Sequence, residues 1–425
     1  MTTVAVVLIL VVLVAPAAAR GQPPGLEVTV DELVARAVAD NPDLEAARAD
    51  LEAAQGRVRQ AALRPNPMVE LGGQKALGPD SNLMVGLTVP LDLNGRKEGR
   101  VGVAEREADV RRALLAERER RLRAEVRLKA GEVLAARRNL EVADDLLAVN
   151  REALALVRRR VSEGAAPPLE ENLTAVEVNR LEASRELLGS RLEIATLGLK
   201  ALAALRPDDA LTLRGDLTAP PVVPVREMAL PQALSDRPDL RAARAEVAAA
   251  RARVRKEEAE GRWDASVNVG YQRQDFGYGL QGLTESGARR PIQDVFHYFG
   301  GGVSIMLPVR NQNQGNVAAA RAETTAAERR QEFMELMARQ EVDATFAQHA
   351  AARNSQGLYE RGVRDVARRN LDVVRQAYRL GRGTLLDVIA EQRRYIEIEN
   401  GYTDVLKQVY DAAVEIERAV APTGR

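Results

Sequence analysis

The chain has 425 residues, with 61 basic and 61 acidic side chains, a formal net charge of +0 and no cysteine. Even charge argues against a nucleic-acid binder, and the lack of Cys excludes a disulfide scaffold, thiolate metal sites and a lipid-modified N-terminal cysteine. Only two histidines occur, His297 and His349, far apart in sequence, so neither a His-rich metal centre nor a cofactor site is expected.

Val4 to Val14 is an almost unbroken apolar run, followed by Ala15-Pro16-Ala17-Ala18-Ala19. The run is too short to cross a bilayer as a helix, which needs about 20 residues. The small residues after it fit a cleavage site, so 1–19 reads as a secretory signal peptide, although no Lys or Arg precedes the run. A short buried helix is the plain alternative. No other segment approaches the roughly 18 consecutive apolar residues of a membrane helix. A membrane role would therefore require a β-barrel.

The chain repeats itself. Asp40-Asn41-Pro42-Asp43-Leu44 returns as Asp236-Arg237-Pro238-Asp239-Leu240, 196 positions later. Gly86-Leu87-Thr88-Val89-Pro90 is echoed at Gly302 to Pro308, and Gly164 by Gly381, 217 positions on. The common order of several different features implies a tandem duplication with about 22 residues inserted in the second copy. The copies span 20–205 and 228–425, joined by a linker at 206–227 that holds Pro207, Pro220, Pro221 and Pro224.

Each copy reads as helix, strand pair, very long helix, turn, helix. Thr29-Val30-Asp31-Glu32 has the pattern of a capping box. A helix broken at Asn41-Pro42 runs on to about Leu63. Leu83, Val85, Leu87 and Val89 alternate with Asn82, Met84, Gly86 and Thr88, Val267, Val269 and Tyr271 alternate with Ser266, Asn268 and Gly270, and Val303, Ile305 and Leu307 alternate similarly. This is the period of strands with two different faces. The long helices are expected from about Gly95 to Arg160 and from about Gly315 to Leu380. At 1.5 Å per residue each makes a rod of roughly 100 Å. Apolar residues keep a seven-residue spacing at Val126, Val133, Leu140, Leu147, Leu154 and Val161. So do Tyr359, Val366, Val373 and Leu380, and then Val388, Tyr395, Tyr402, Val409 and Ile416. Sustained heptads imply left-handed coiled-coil packing. The shorter helices, about 22 and 37 residues, together nearly match one long helix.

Catalytic signals dissolve. Gly277-Tyr278-Gly279-Leu280-Gln281-Gly282 matches a dinucleotide fingerprint, but no amphipathic helix follows to receive a pyrophosphate. Mixed charge runs such as Glu117 to Arg123 read more simply as solvated helix faces than as sites. No nucleophile elbow, P-loop or H-E-x-x-H pattern occurs, so an enzyme is not expected. Half of the 14 aromatics fall between Trp263 and Phe299, a clustering that suits an interfacial girdle on a barrel. The insertion there, rich in Gly and polar residues, is expected to form an external loop.

Four strands, duplicated hairpins and the turn Tyr378-Arg379-Leu380-Gly381-Arg382-Gly383-Thr384-Leu385-Leu386-Asp387-Val388-Ile389 resemble the TolC family of outer-membrane efflux proteins. Val89-Pro90-Leu91-Asp92-Leu93-Asn94-Gly95-Arg96 is similar to its CzcC-like heavy-metal branch. The resemblance implies a mainly α fold with a small β part: coiled-coil hairpins forming a trimeric tunnel, and four strands per chain contributing to a 12-stranded outer-membrane β-barrel. It implies a passive duct from periplasm to exterior, set in outer-membrane lipid. Its partners would be two further copies, a periplasmic adaptor and an inner-membrane pump of the RND type. The acidic residue of the Asp387-Val388 pair would line a closed periplasmic aperture, with Glu170 in the matching place of the first copy. The second acid expected three residues on is Ala390, with Glu391 beside it. Asp387 also has the spacing of an acidic residue closing a capping box from Thr384, which needs no aperture. The reversals near Gly164, Gly381, Gly383 and Thr384 would dock the adaptor, with the glycines supplying positive φ. An exported coiled-coil scaffold, or an adaptor without a barrel, is the competing reading.

Overall fold

The computed structural model describes residues 26–78 and 80–421, and the expected signal peptide at 1–19 lies outside the described residues. Strand β1 (Leu26–Thr29) leads into α1 (Val30–Asp40) and α2 (Pro42–Ala61). Thr29 caps α1 through a full capping box with Glu32, as its sequence predicts. The hairpin β2 (Met68–Lys75) and β3 (Ser81–Pro90) precedes α3 (Arg96–Ser162), one unbroken helix of 67 residues. Helix α4 (Pro168–Leu202) returns alongside it. Strand β4 (Leu211–Arg214) follows, and then α5 (Arg226–Asp236), α6 (Pro238–Glu260), β5 (Asp264–Leu283), β6 (Arg289–Met306), α7 (Gln314–Leu358), α8 (Arg364–Arg379) and α9 (Leu385–Val420).

The two halves of the chain make corresponding hydrogen bonds. Asn41 Nδ2 donates to the Leu202 carbonyl at 3.0 Å, and Arg237 Nη1 donates to the Ala419 carbonyl at 3.2 Å. Each ties the start of a returning helix to the end of its hairpin. Likewise Arg48 reaches Val38 O at 2.6 Å, and Arg244 reaches Leu234 O at 2.7 Å.

Three features differ from expectation. The second long helix is interrupted by a π turn over Tyr359–Val363, with Gly357 and Gly362 lowering the cost of leaving α geometry. The linker carries β4, which pairs in parallel with β1 and is held on α3 by Arg137, donating to Leu213 O and Gly215 O at 2.7 and 2.6 Å. The insertion is not an open loop. It lengthens β5 and β6 to 20 and 18 residues, against 8 and 10 for β2 and β3, and only a short turn joins them. The dinucleotide-like glycines therefore lie inside β5, where no helix N-terminus follows.

The heptads pack unevenly. Val126, Val133, Leu147 and Leu154 are buried, as are Val388, Tyr402, Val409 and Ile416. On α8 and at its C-cap, by contrast, Val366, Val373 and Leu380 stay exposed. Among the described residues that stripe stays largely open to solvent.

The four long strands form one antiparallel sheet in the order β2-β3-β5-β6, leaving β2 and β6 as open edges. The register separates two chemistries. Val69, Leu87 and Val269 lie side by side, as do Leu71, Val85, Tyr271 and Phe299, while Val267 pairs with Val89 and Val303. The opposite face carries Glu70, Thr88, Asn268, Gln272, Gln274 and Ser304. The aromatic girdle is only partly as expected: Tyr271 and Phe299 are on the apolar face, whereas Phe276, Tyr278, Phe296 and Tyr298 occupy the other.

The Val89–Arg96 stretch is the corner between sheet and tunnel helices. Asp92, Asn94 and Gly95 take positive φ values of 52°, 59° and 81°, which Asp and Asn tolerate better than most side chains. Asp92 accepts two bonds from Arg100 at 2.9 and 2.6 Å, which hold its carboxyl below the usual range. Arg96 donates to the carbonyls of Glu260 and Arg262 at 3.1 and 2.9 Å, joining the corner to the second copy.

Candidate functional site

The two hairpins reverse through the same turn. Gly164 N donates to Val161 O at 3.0 Å and Ala165 N to Arg160 O at 2.7 Å. Gly381 N donates to Tyr378 O at 3.0 Å and Arg382 N to Ala377 O at 2.9 Å. Both are Schellman motifs, whose residue just past the helix sits in the left-handed region. Gly164 and Gly381 supply it with φ values of 73° and 70°. Gly383 does not: its φ lies outside the positive range, and Ala166 holds the equivalent place in the first copy. A Cβ at Gly383 would make ordinary contacts of 3.5 Å or more. Gly381→Val is thus expected to destabilise by about 1–2 kcal/mol, whereas Gly383→Ala should melt within a degree or two of the parent. Thermal unfolding followed by circular dichroism distinguishes the two. Equal losses would show that the turn does not depend on positive φ.

Past each turn a carboxylate occupies the third helical position. Thr384 Oγ1 accepts from Asp387 N at 3.2 Å, and Asp387 Oδ2 accepts from Thr384 N and Oγ1 at 3.0 and 2.6 Å. These bonds, first from the Thr384 side chain and then from its backbone, hold the Asp387 carboxyl below the usual range. The capping role is real, and Asp387 nevertheless remains exposed. Glu170 differs because Pro167 replaces Thr384 at its cap. Proline has no N–H for a reciprocal bond. The Glu170 carboxylate instead accepts from Tyr378 Oη at 2.7 Å, from the last turn of α8. That bond joins the tip of one hairpin to the tip of the other. Glu391 lies one turn beyond Asp387, but its carboxylate is largely covered and accepts from Arg394 at 3.1 Å. Of the three acids, only Asp387 presents an exposed carboxylate.

A second link lies deeper. Glu177, buried on α4, accepts from Arg180 Nε at 3.1 Å and from Arg393 of α9 at 2.9 Å. Burial pushes its carboxyl up, and the two guanidinium groups outweigh it, leaving it below the usual range. Nearer the π turn, Arg364 grips Glu399 at 3.0 and 3.1 Å and lies 4.2 Å over the Tyr402 ring. Tyr402 Oη donates to Glu360 at 3.0 Å. Sequence reasoning missed Tyr378, Glu177 and Arg393. Glu177 alone carried a signal: an acid directly beside Val178 on the buried side of α4.

Among the described residues no group of three or more His, Asp or Glu side chains is placed to hold a metal ion. No described helix is long and apolar enough to cross a membrane. A model of the family described as outer membrane efflux protein matches residues 33–205 and 229–421. The chain belongs to the outer membrane efflux protein family. The cobalt-zinc-cadmium resistance protein CzcC of Cupriavidus metallidurans is 25% identical over 390 residues, covering 92% of this chain and 89% of that relative. Among solved structures, the CmeC outer membrane channel of Campylobacter jejuni superposes with a TM-score of 0.75 at 13% identity, covering 92% of this chain and 85% of that one. The open state of the MtrE outer membrane channel of Neisseria gonorrhoeae gives 0.73 at 19% identity, covering 92% and 88%. The fold is that of these TolC-like channels, a helical tunnel continued by a sheet that contributes to a barrel. This efflux protein is an outer-membrane channel component and not an enzyme, which removes the barrel-less scaffold reading.

Proposed function

We propose that three copies of this chain close a 12-stranded barrel in outer-membrane lipid and a helical tunnel in the periplasm. The duct is passive. An adaptor docks at the turns around Gly164, Gly381, Gly383 and Thr384, and an RND-type inner-membrane pump supplies the driving force. One observation carries the reading: a four-stranded sheet with one apolar face and two open edges. Lipid offers no partner for unpaired backbone groups, so such a sheet must close on other copies. The exposed Val366, Val373 and Leu380 stripe adds a helical surface for the same contact. At the narrow end, exposed Asp387 carboxylates from three copies form an acidic ring that favours cations, with Glu170 and Glu391 behind it. Protein purified in detergent should have three times the chain mass and give a cation-selective current that Asp387→Ala weakens. A stable monomer overturns the duct. Unchanged selectivity leaves Asp387 as a helix cap.

Cargo class follows from the relative named for cobalt, zinc and cadmium. We infer that divalent transition-metal cations are exported. The tunnel need not bind them tightly, which suits a chain without cysteine. Deleting the gene should lower growth tolerance to zinc or cobalt severalfold; unchanged tolerance to all three metals removes this cargo.

A further inference from the structure

On the polar face of the sheet one carboxylate stands in a row of glycines. Glu70 lies opposite Gly86, Gly86 opposite Gly270, and Gly270 opposite Gly300, so one crosswise row holds a single side chain. The next row away from the helices is Gly72, Met84, Gln272 and Tyr298, and the one beyond it is Gln74, Asn82, Gln274 and Phe296. The row nearer the helices is Met68, Thr88, Asn268 and Gly302. In these four rows, which cross all four strands, Glu70 carries the only charge. Lys75, Arg273 and Asp275 sit on the opposite face. Lower down on the polar face, Asp264 is matched by Arg96 at 3.8 Å. Glu70 has no basic side chain on its face to match it.

Glycine inside a strand weakens it, and three in one row weaken the sheet at one level. What the row gains is space. A Cβ at Gly300 would meet nothing within 4 Å, and Glu70 leans over Gly86 with Oε2 3.8 Å from where a Cβ would stand. The hollow that results has a volume of about 500 Å³, and its lining includes Glu70, Met84, Thr88, Asn268, Gln272 and Tyr298. Glu70 is exposed in it. A second use of such a residue is a plain one. Strand β2 is an edge, and an inward-pointing charge on an edge strand discourages wrong pairing. That use ends once the barrel closes, whereas a charge in the lumen acts on every ion that passes.

A 12-stranded barrel with strands about 4.8 Å apart and tilted about 40° is roughly 24 Å across at the backbone. An inward carboxylate then lies within about 12 Å of the axis, on the order of the Debye length of about 10 Å at 0.1 M salt. Three such charges at one level are felt across the whole lumen. We propose that Glu70 is a second determinant of cation selection in this channel: three copies form an acidic belt at the level of the glycines, in the barrel and far from the Asp387 ring at the hairpin tips. The belt rests on the trimeric duct reading above. It is a field through which hydrated ions pass, with no need for a tight site, and it acts at the opposite end of the duct from the aperture.

In planar bilayers the narrow Asp387 end dominates the resistance, so the barrel is read in an Asp387→Ala background. Those channels should still prefer cations. Adding Glu70→Gln should lower the cation-to-anion permeability ratio about threefold or more at about 0.1 M KCl, and little at about 1 M, where the Debye length is about 3 Å. Gly300→Lys, added instead, leaves Glu70 in place and should act the same way by cancelling its charge. Gly300→Glu, added to Asp387→Ala with Glu70→Gln, should restore the preference, because the charge returns to the same row. Trimers whose ratio is unmoved by Glu70→Gln or by Gly300→Lys overturn the assignment, as do Asp387→Ala channels without cation preference and a failure of Gly300→Glu to restore it. Lost trimer yield with an unchanged ratio leaves Glu70 as an edge guard only, which also overturns it. A monomeric mass instead defeats the duct reading, and the acidic belt with it.

Discussion

Replacing Tyr378 by Phe is expected to open the periplasmic end of the channel. The Tyr378 hydroxyl donates to the Glu170 carboxylate at 2.7 Å and joins two hairpin tips that meet through no covalent link. Hydrogen bonds to charged groups contribute about 1.5–3 kcal/mol, and the half-buried position argues for the lower end. Three copies released together then shift the closed-to-open balance by about 4–5 kcal/mol, on the order of a thousandfold. The phenylalanine ring keeps the packing of Tyr378, so folding and mass should be unchanged while conductance rises severalfold. Glu170→Gln retains an acceptor without the charge and should fall between. Burial and then the Glu170 carboxylate push the Tyr378 hydroxyl up to about 12. Because that value exceeds the ordinary 10.0, the bond is fully present below pH 10 and fails only as pH climbs through about 12. Alkaline opening should therefore be absent at pH 8–9. Wild-type conductance in Tyr378→Phe would mean that the tips are held closed elsewhere.

The sequence disclosed what depends on near neighbours. Both capping boxes, at Thr29 and Thr384, follow from four-residue patterns. The long helices follow from heptads, and the strands from alternation at Leu83 to Val89. What it concealed depends on partners distant in the chain. Strand β1 is four residues long, and its mate Leu211–Arg214 lies about 185 positions away, so neither shows a period. Glu170 and Tyr378 are separated by 208 positions, and nothing local joins them. Pro167 was visible at the place of Thr384, and its missing N–H is why Glu170 is free to reach across. The aromatic cluster was legible as a cluster, but its division between faces needed the β5–β6 register. The π turn is invisible to periodicity, because the heptad residues Tyr359, Val366 and Val373 continue past it.

One substitution between the copies sets up the largest stability effect. Asn41 caps α2, accepting from Asp43 N at 2.9 Å, and its equivalent Arg237 cannot accept. Arg237 is buried and grips Asp239 at 3.1 and 2.7 Å, Glu341 at 2.7 Å and the Ala419 carbonyl at 3.2 Å. It thereby joins α6, α7 and α9 at one point. Burial raises the Asp239 and Glu341 carboxyls, and Arg237 outweighs it, so both lie below the usual range. Arg237→Met removes that compensation and leaves two covered carboxylates. Breaking a buried ion pair from one side costs about 3–5 kcal/mol. Arg418 beside Glu341, and Arg120 at 3.8 Å from Asp239, keep the expected loss near the lower figure. Depressed carboxyls contribute stability above their unfolded pKa and lose it as pH falls. With Arg237 gone, burial is opposed chiefly by Arg120 and Arg418 and both carboxyls move upward, so acid unfolding should begin at a higher pH than in the parent. Urea unfolding at pH 7.5 and pH 5.5 measures both effects. Glu341→Gln added to Arg237→Met should recover part of the loss, because it removes one of the stranded charges. Parental stability in Arg237→Met at both pH values would show that Arg120 and Arg418 suffice to hold the junction.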